Sequence, residues 1–450
     1  LRRKRGLGVF SVACAMGTAA YTQDGSFGPF EPFFSFEQRL EYSDNPDLDE
    51  DGDSDFFGRS LLNFRLESTT QVSNLAFALD TNIEEGRDDQ SSLDFTNSGA
   101  LVVYNRSVSR SELGFSARYR ESDVNSDNLD RDFDQDGNVI SQTSGTRQSY
   151  GFDLNNEIRK DMPIGARFNL SYNEINYQDF DEDDFDDSDR FEVSAAIIAR
   201  PTPSFSPRLV FEYSDFNTEG TGVDRERIGA GLGADMRINS TLSADAELRY
   251  DNIERSGGET GTDDGISFDS SLSRATKTGS IGLTFNTDIT SNDDGRRSDL
   301  SFNHDIALPR GNSLSYSVGI TRSDGTGVDP LLALDYSYAL PTGRISVGLS
   351  QSVSSNTDNE ESINTRLRAG YTQQINNLQS ISADLSFFNR NDLSEENDDG
   401  QRLEVGLSHS YGLTRRWNLV SGYSYRFSSR ETEDDRTSNT VFIGLSTSFP

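Results

Sequence analysis

The residues of this chain best placed to do chemistry are carboxylates set at alternate positions beside a glycine. Asp47, Asp49, Asp51 and Asp53 surround Gly52, and Asp132, Asp134 and Asp136 precede Gly137. Hard divalent cations take several carboxylate oxygens, and glycine permits the sharp turn that gathers them. The spacing predicts weak Ca²⁺ binding in both segments. It is weak because the bidentate glutamate that ends such a loop is missing, its place taken by Gly58 and Thr143. Two other uses are open to these acids. They can be solvated charge that keeps loops extended, or they can bridge through divalent ions to anionic lipopolysaccharide. No cofactor is required by any other pattern in the chain.

Catalytic chemistry has little to work with. The two histidines, His304 and His409, share the apolar phase of their segments with Phe302 and Ile306, and with Val405 and Leu407. A serine nucleophile needs a nearby base, and neither histidine sits among the polar residues. There is no GxSxG and no phosphate-binding glycine loop. The single cysteine, Cys14, lies in a leader-like segment, so the mature chain is expected to form no disulfide. The chain is read as a non-enzyme.

The elements that must carry these residues are strands. In Asp224–Gly265, Ile228, Ala230, Leu232, Ala234 and Met236 share one phase. So do Leu242, Ala244, Ala246, Leu248 and Tyr250, with Asp245, Glu247, Arg249 and Asp251 in the other. Alternate strand side chains point to opposite faces, so each run has one apolar and one polar face. A short turn at 239–241 joins the runs, and the acidic stretch Arg255–Gly265 is expected to be a long loop. This unit recurs along nearly the whole chain. It predicts an all-β fold: a transmembrane antiparallel up-and-down β-barrel of about 22 strands, with short periplasmic turns and long acidic extracellular loops.

Composition agrees. Of 450 residues, 33% are hydrophobic and the net charge is -34. A barrel needs only its outer face to be apolar, so low overall hydrophobicity does not imply disorder here. Residues 1–20 are expected to be a signal peptide, with Arg2, Arg3, Lys4 and Arg5 ahead of a short apolar run and small residues at Thr18, Ala19 and Ala20. Residues 21–32 form a periplasmic lead too short for a plug domain, which argues against a plugged uptake receptor. Residues 33–450 form the barrel. Tyr42, Tyr119, Tyr177, Tyr213 and Tyr250 end strands that lead into long loops, and are expected to form an aromatic girdle at the membrane interface.

Val441, Ile443, Leu445, Thr447 and Phe449 alternate in the last strand, which resembles the terminal signal read by barrel-assembly machinery; Pro450 departs from it. The hairpin series with its opening FFSFEQRLEYSDNPDL resembles the outer-membrane β-barrel porin families of proteobacteria, some of which accompany exopolysaccharide export. That resemblance implies a bacterial outer-membrane location and glycan transit. The polar phase, with Glu37, Arg39, Glu41, Arg118, Arg120, Arg366, Arg368 and Asp384, implies a wet lumen. Three functions follow as expectations. One is a conduit for exopolysaccharide, one a small-solute diffusion porin, and one a structural or adhesive barrel whose acidic loops bind divalent cations. The expected partners are outer-membrane lipids and lipopolysaccharide, with polysaccharide or a periplasmic export partner for the first function, and no nucleic acid.

Overall fold

The computed structural model describes residues 28–48, 52–85, 93–123, 145–178, 187–219, 223–257, 260–289, 295–323, 327–355, 361–393, 399–430 and 434–449. The expected signal peptide lies outside them. The described chain is strands throughout, apart from one 3-10 turn at Pro309–Gly311. The first strands are β1 (Phe30–Ser43), β2 (Asp55–Thr69), β3 (Ser73–Glu85), β4 (Leu93–Val108), β5 (Ser111–Asp123), β6 (Thr146–Ile158) and β7 (Ile164–Gln178). Then come β8 (Ser188–Ala199), β9 (Phe205–Thr218), β10 (Val223–Arg237), β11 (Leu242–Gly257), β12 (Gly261–Ala275), β13 (Gly279–Ile289) and β14 (Arg296–Ala307). The last are β15 (Ser313–Ser323), β16 (Gly327–Leu340), β17 (Gly343–Ser355), β18 (Glu361–Asn376), β19 (Gln379–Asp392), β20 (Gly400–Gly412), β21 (Trp417–Arg430) and β22 (Arg436–Phe449).

Each strand pairs antiparallel with its sequence neighbour, and β1 pairs with β22 from Phe34↔Phe449 to Ser43↔Thr440. The sheet therefore closes, with the 22 strands that the alternation predicts. Closure leaves no edge with unpaired backbone groups, which a hydrocarbon environment would not tolerate.

Register puts the apolar phase outside. Leu209, Leu232, Leu248 and Phe268 stand side by side on β9 to β12. Leu232 is 67% exposed and Leu248 51%, which in water would be a costly patch and in lipid is the required surface. The belt ends upward in tyrosines whose hydroxyls donate to carboxylates nearer the rim: Tyr119 to Glu121 at 2.5 Å, Tyr172 to Glu174 at 2.9 Å and Tyr250 to Asp264 at 2.7 Å. Tyr42, Tyr119, Tyr213 and Tyr250 take the expected outward phase. Tyr177 does not. It pairs with Arg147 in the lumen phase of β6, so the girdle at that strand is Tyr172 instead. The slip arises because Tyr177 lies five positions after Tyr172, an odd offset, and period two sends them to opposite faces.

A second difference concerns the loop expected at Arg255–Gly265. There β11 stays paired with β10 up to Val223↔Gly257 and with β12 up to Arg255↔Gly261, so the connection between β11 and β12 is 258–260. Beyond the bilayer a strand has no need of an apolar face. Arg255 pairs with Asp263 at 2.5 Å on the inner side while Glu254 and Asp264 face out, and this two-sided polarity reads as loop. The first strand likewise begins at Phe30, earlier than alternation alone suggests.

The two faces make a direct prediction. Leu248→Arg, in the lipid-facing row, should cost about 2–4 kcal/mol of folding stability. Ser271→Arg, on the lumen face of β12, should leave stability near wild type. Urea titration of the barrel folded in lipid vesicles would measure both. Equal losses for the two variants would overturn the assignment of faces.

Candidate functional site: the lumen wall

The inner face is built from three kinds of surface. The first is a ladder of ions on β8 to β13, organised by what β10 lacks. The middle of its lumen phase, between Arg227 and Asp235, is Gly229, Gly231 and Gly233. A Cβ on Gly233 would lie 2.7 Å from Arg208 Nε, and one on Gly229 would lie 2.2 Å from Asp251 Oδ1. The bare strand is thus a trough across which side chains of β9 and β11 reach each other. Arg208 of β9 crosses it to donate to Asp245 Oδ2 at 2.6 Å and Glu247 Oε2 at 2.9 Å, and touches Asp235 at 3.3 Å. Asp235 and Asp245 are directly opposed, and like charges so placed repel. Arg208 offsets that repulsion. Arg249 returns in the other direction to Glu212 at 2.8 Å and donates to Asp251 Oδ1 at 2.7 Å. Arg227 continues the ladder to Asp251 at 2.9 Å and, through Nη1, to Asp288 Oδ2 at 3.1 Å on β13. Asp251 is fully buried, yet both its oxygens accept from guanidinium donors, as a buried charge requires.

Above the ladder, Arg190, Arg225, Arg227 and Arg297 line a cavity of about 350 Å³ with Phe216 and Ile253. The guanidinium carbons of Arg190 and Arg225 each lie 5.1 Å from the Phe216 ring centre.

The second surface closes the barrel at β1 and β22. Arg59 bridges Glu41 at 3.4 Å and Glu84 at 2.9 Å, and Arg39 stacks 4.3 Å from the Phe442 ring. Arg426 donates to the Pro46 carbonyl at 2.7 Å and Arg436 to the Leu48 carbonyl at 3.5 Å. Lumen arginines thereby hold the first outer connection against the inner rim.

The third surface runs over β12 to β17. Ser271, Ser273, Gly282, Thr284, Ser301 and Asn303 begin its lumen phase, and Ser315, Ser317, Gly319, Ala333, Ser346 and Ser350 continue it. Most of these side chains are short hydroxyls, and Asp299, Asp305 and Asp335 share their phase, with Ser315 donating to Asp305. Asn303 donates to Thr284 at 3.1 Å.

The expected cation loops are only partly covered. Asp47 and Asp53 are described, Asp47 half-buried beside the pinned carbonyls and Asp53 exposed. Asp49, Asp51, Asp132, Asp134 and Asp136 lie outside the described residues. Among the described residues no group of three or more His, Cys, Asp or Glu side chains converges as a metal site. His304 and His409 stand in the outward phase near the short turns, His304 Nδ1 being 3.1 Å from the Tyr316 hydroxyl. The expected lumen residues Glu37, Arg39, Glu41, Arg118, Arg120, Asp245, Glu247 and Arg249 all face inward. Sequence reading missed Arg208 and Arg227 as hubs. The signal was the Gly-x-Gly-x-Gly of β10, which marks a cleared face rather than a turn.

A closed antiparallel barrel with a lipid-facing apolar belt, tyrosines at its upper edge and an ionic inner wall is an outer-membrane β-barrel, and its place is the bacterial outer membrane. Solved structures of that class share the fold. A mutant of the ferric enterobactin receptor from Pseudomonas aeruginosa matches with a TM-score of 0.54 and 10% identity, over 94% of this chain and 82% of that one. The FrpB iron transporter from Neisseria meningitidis matches with a TM-score of 0.53 and 10% identity, over 92% and 81%. No family model matches the chain, and no curated protein matches it. The expected likeness to outer-membrane barrels thus holds, and its narrower form, a porin or polysaccharide-export family, finds no match.

The trough can be tested by filling it or emptying its hub. Gly233→Val should cost about 1–3 kcal/mol by overpacking against Arg208. Arg208→Ala should cost about 1.5–3 kcal/mol, because three carboxylates lose their shared donor. Adding Asp245→Asn should recover part of the second loss, measured as urea midpoints. Additive losses in the double variant would show that Arg208 does not act by pairing.

Proposed function

We propose that this barrel is a passive conduit for hydrated solutes across the outer membrane, and that its cargo is a secreted polysaccharide. The observation that carries the reading is the hydroxyl-lined surface over β12 to β17. Short hydroxyls exchange hydrogen bonds with water and sugar alike, so a glycan slides along them without a deep energy well. Conduction needs such weak, repeated contacts rather than one tight site. The opposite wall is braced by ion pairs, which stiffen the barrel and spend their charge on each other.

Three other readings rest on particular observations. A small-solute diffusion porin would use the same wet wall. A selective uptake receptor is favoured by the likeness in strand number and coverage to barrels described as a ferric enterobactin receptor and an iron transporter. The acidic outer connections add a structural role in which they bind Ca²⁺ at weak, extracellular-type affinity.

Single-channel recording of the refolded protein in planar bilayers separates these. A conduit gives a large, stable conductance that long dextrans reduce and monosaccharides do not. Block by monosaccharides alone favours the small-solute porin. No conductance from protein shown to be folded sinks the open-conduit reading and favours the receptor or structural roles. Conductance that rises when millimolar Ca²⁺ is removed assigns the acidic connections a gating role.

A further inference from the structure

The two mouths of the barrel carry opposite charge. The outer connections are crowded with acids and hold two basic residues, Arg87 and Arg131. The short turns hold one acid, Asp161, among several cations. Acids also mark the outer surface of the upper rim, where Asp215, Glu226 and Glu254 oppose one another directly on β9, β10 and β11.

At the other end, Arg110, Arg159, Lys277, Arg310 and Arg416 on the turns and Arg237 at the end of β10 are all exposed and spread around the barrel. Arg110 approaches Asp161 at 3.9 Å, with both side chains largely in solvent. The other five form no salt bridge with a described residue. This sets them apart from Arg208, Arg227 and Arg249, which are spent on carboxylates. Arg237 and Arg344 lie in the lumen phase of β10 and β17, so the ring reaches into the mouth. The apolar side chains Ile238, Ile375 and Leu413 continue the outward phase and meet lipid. Val72, Met162 and Leu378 are exposed on three of these turns as well. What faces the periplasm is therefore hydrated and predominantly cationic, with its apolar side chains scattered rather than gathered into the core on which protein interfaces depend.

We propose that the short-turn mouth is a capture ring for a linear polyanion: an acidic polysaccharide with carboxylates spaced along its chain. This names the cargo class of the conduit proposed above and rests on that reading. Exposed arginines and lysines concentrate an anionic chain at the entrance by long-range attraction. Each contact is weak and solvated, so the chain is held collectively and released stepwise. The acidic outer rim repels a polyanion once it has passed and disfavours its return.

The test uses the full chain in planar bilayers, with sodium polygalacturonate and neutral dextran of matched length as probes. Polygalacturonate added to the short-turn side should block at roughly tenfold lower concentration than dextran, or than polygalacturonate added to the loop side. Raising salt from about 0.1 M to 1 M should lower its block frequency about tenfold. The combined variant Arg237→Glu, Lys277→Glu, Arg310→Glu and Arg416→Glu should lose the preference and keep its unitary conductance. Equal block by dextran, or an unchanged preference in the variant, overturns the capture ring and leaves the conduit standing. A second arm needs no conduction: fluorescence anisotropy of labelled oligogalacturonate with the barrel in detergent micelles. If the barrel is closed, the conduit reading fails, while binding that the variant loses supports the ring. Absent binding overturns the ring, and a folded acidic protein bound as tightly as the polymer overturns its assignment to a polysaccharide.

Discussion

Every backbone N–H and C=O that crosses a bilayer must find a partner inside the protein, because hydrocarbon offers none. This constraint shapes the whole structure. It requires the seam between β1 and β22, where the chain's two ends pair from Phe34↔Phe449 to Ser43↔Thr440. It also frees the side chains from any duty to hold a core. Among the described residues the protein has no central apolar core in the usual sense. Its apolar residues face outward, and lipid completes the packing.

The inner wall then has a problem of its own. It is rich in charge, and a charge against a protein wall is costly unless paired. The structure answers with arginine, whose planar fork can serve two or three carboxylates at once. Arg208, Arg227 and Arg249 each do so. The glycines of β10 matter as much as the arginines, since a larger residue at Gly233 would stand where Arg208 passes. Phe216, Phe388 and Phe442 lie on this same face with guanidinium groups stacked near them, so even the aromatic residues of the lumen serve the cations.

The proposed conduit rests on how unevenly the wall is furnished. One arc is braced and self-neutralised, another is short hydroxyls, and the two rims differ in sign. A hydrated cargo would meet a cationic entrance, a wall of weak contacts and an acidic exit. The same architecture, shared with a ferric enterobactin receptor and an iron transporter at 10% identity, shows how little the fold alone fixes what passes.

Much of this was written in the sequence because the strand period is two and the bilayer makes one face apolar. Ile228 to Met236 and Leu242 to Tyr250 give both strands and faces without any tertiary information, and the repeated unit gives the number 22. Likewise Glu37, Arg39, Asp245 and Arg249 were legible as lumen residues from phase alone. Partners were not. Arg227 meets Asp288 across 61 residues, and only the stagger of neighbouring strands decides which ions come level. Nor could alternation tell where strands end outside the membrane, as at Arg255–Gly265, where both faces are polar and the period fades while the backbone pairing continues. Tyr177 shows the finer limit: a one-residue change of phase moved it from the lipid interface to the lumen. The sequence by itself determined which face each residue would take wherever lipid enforced a contrast. Register, a property of pairs of strands, decided which charges met.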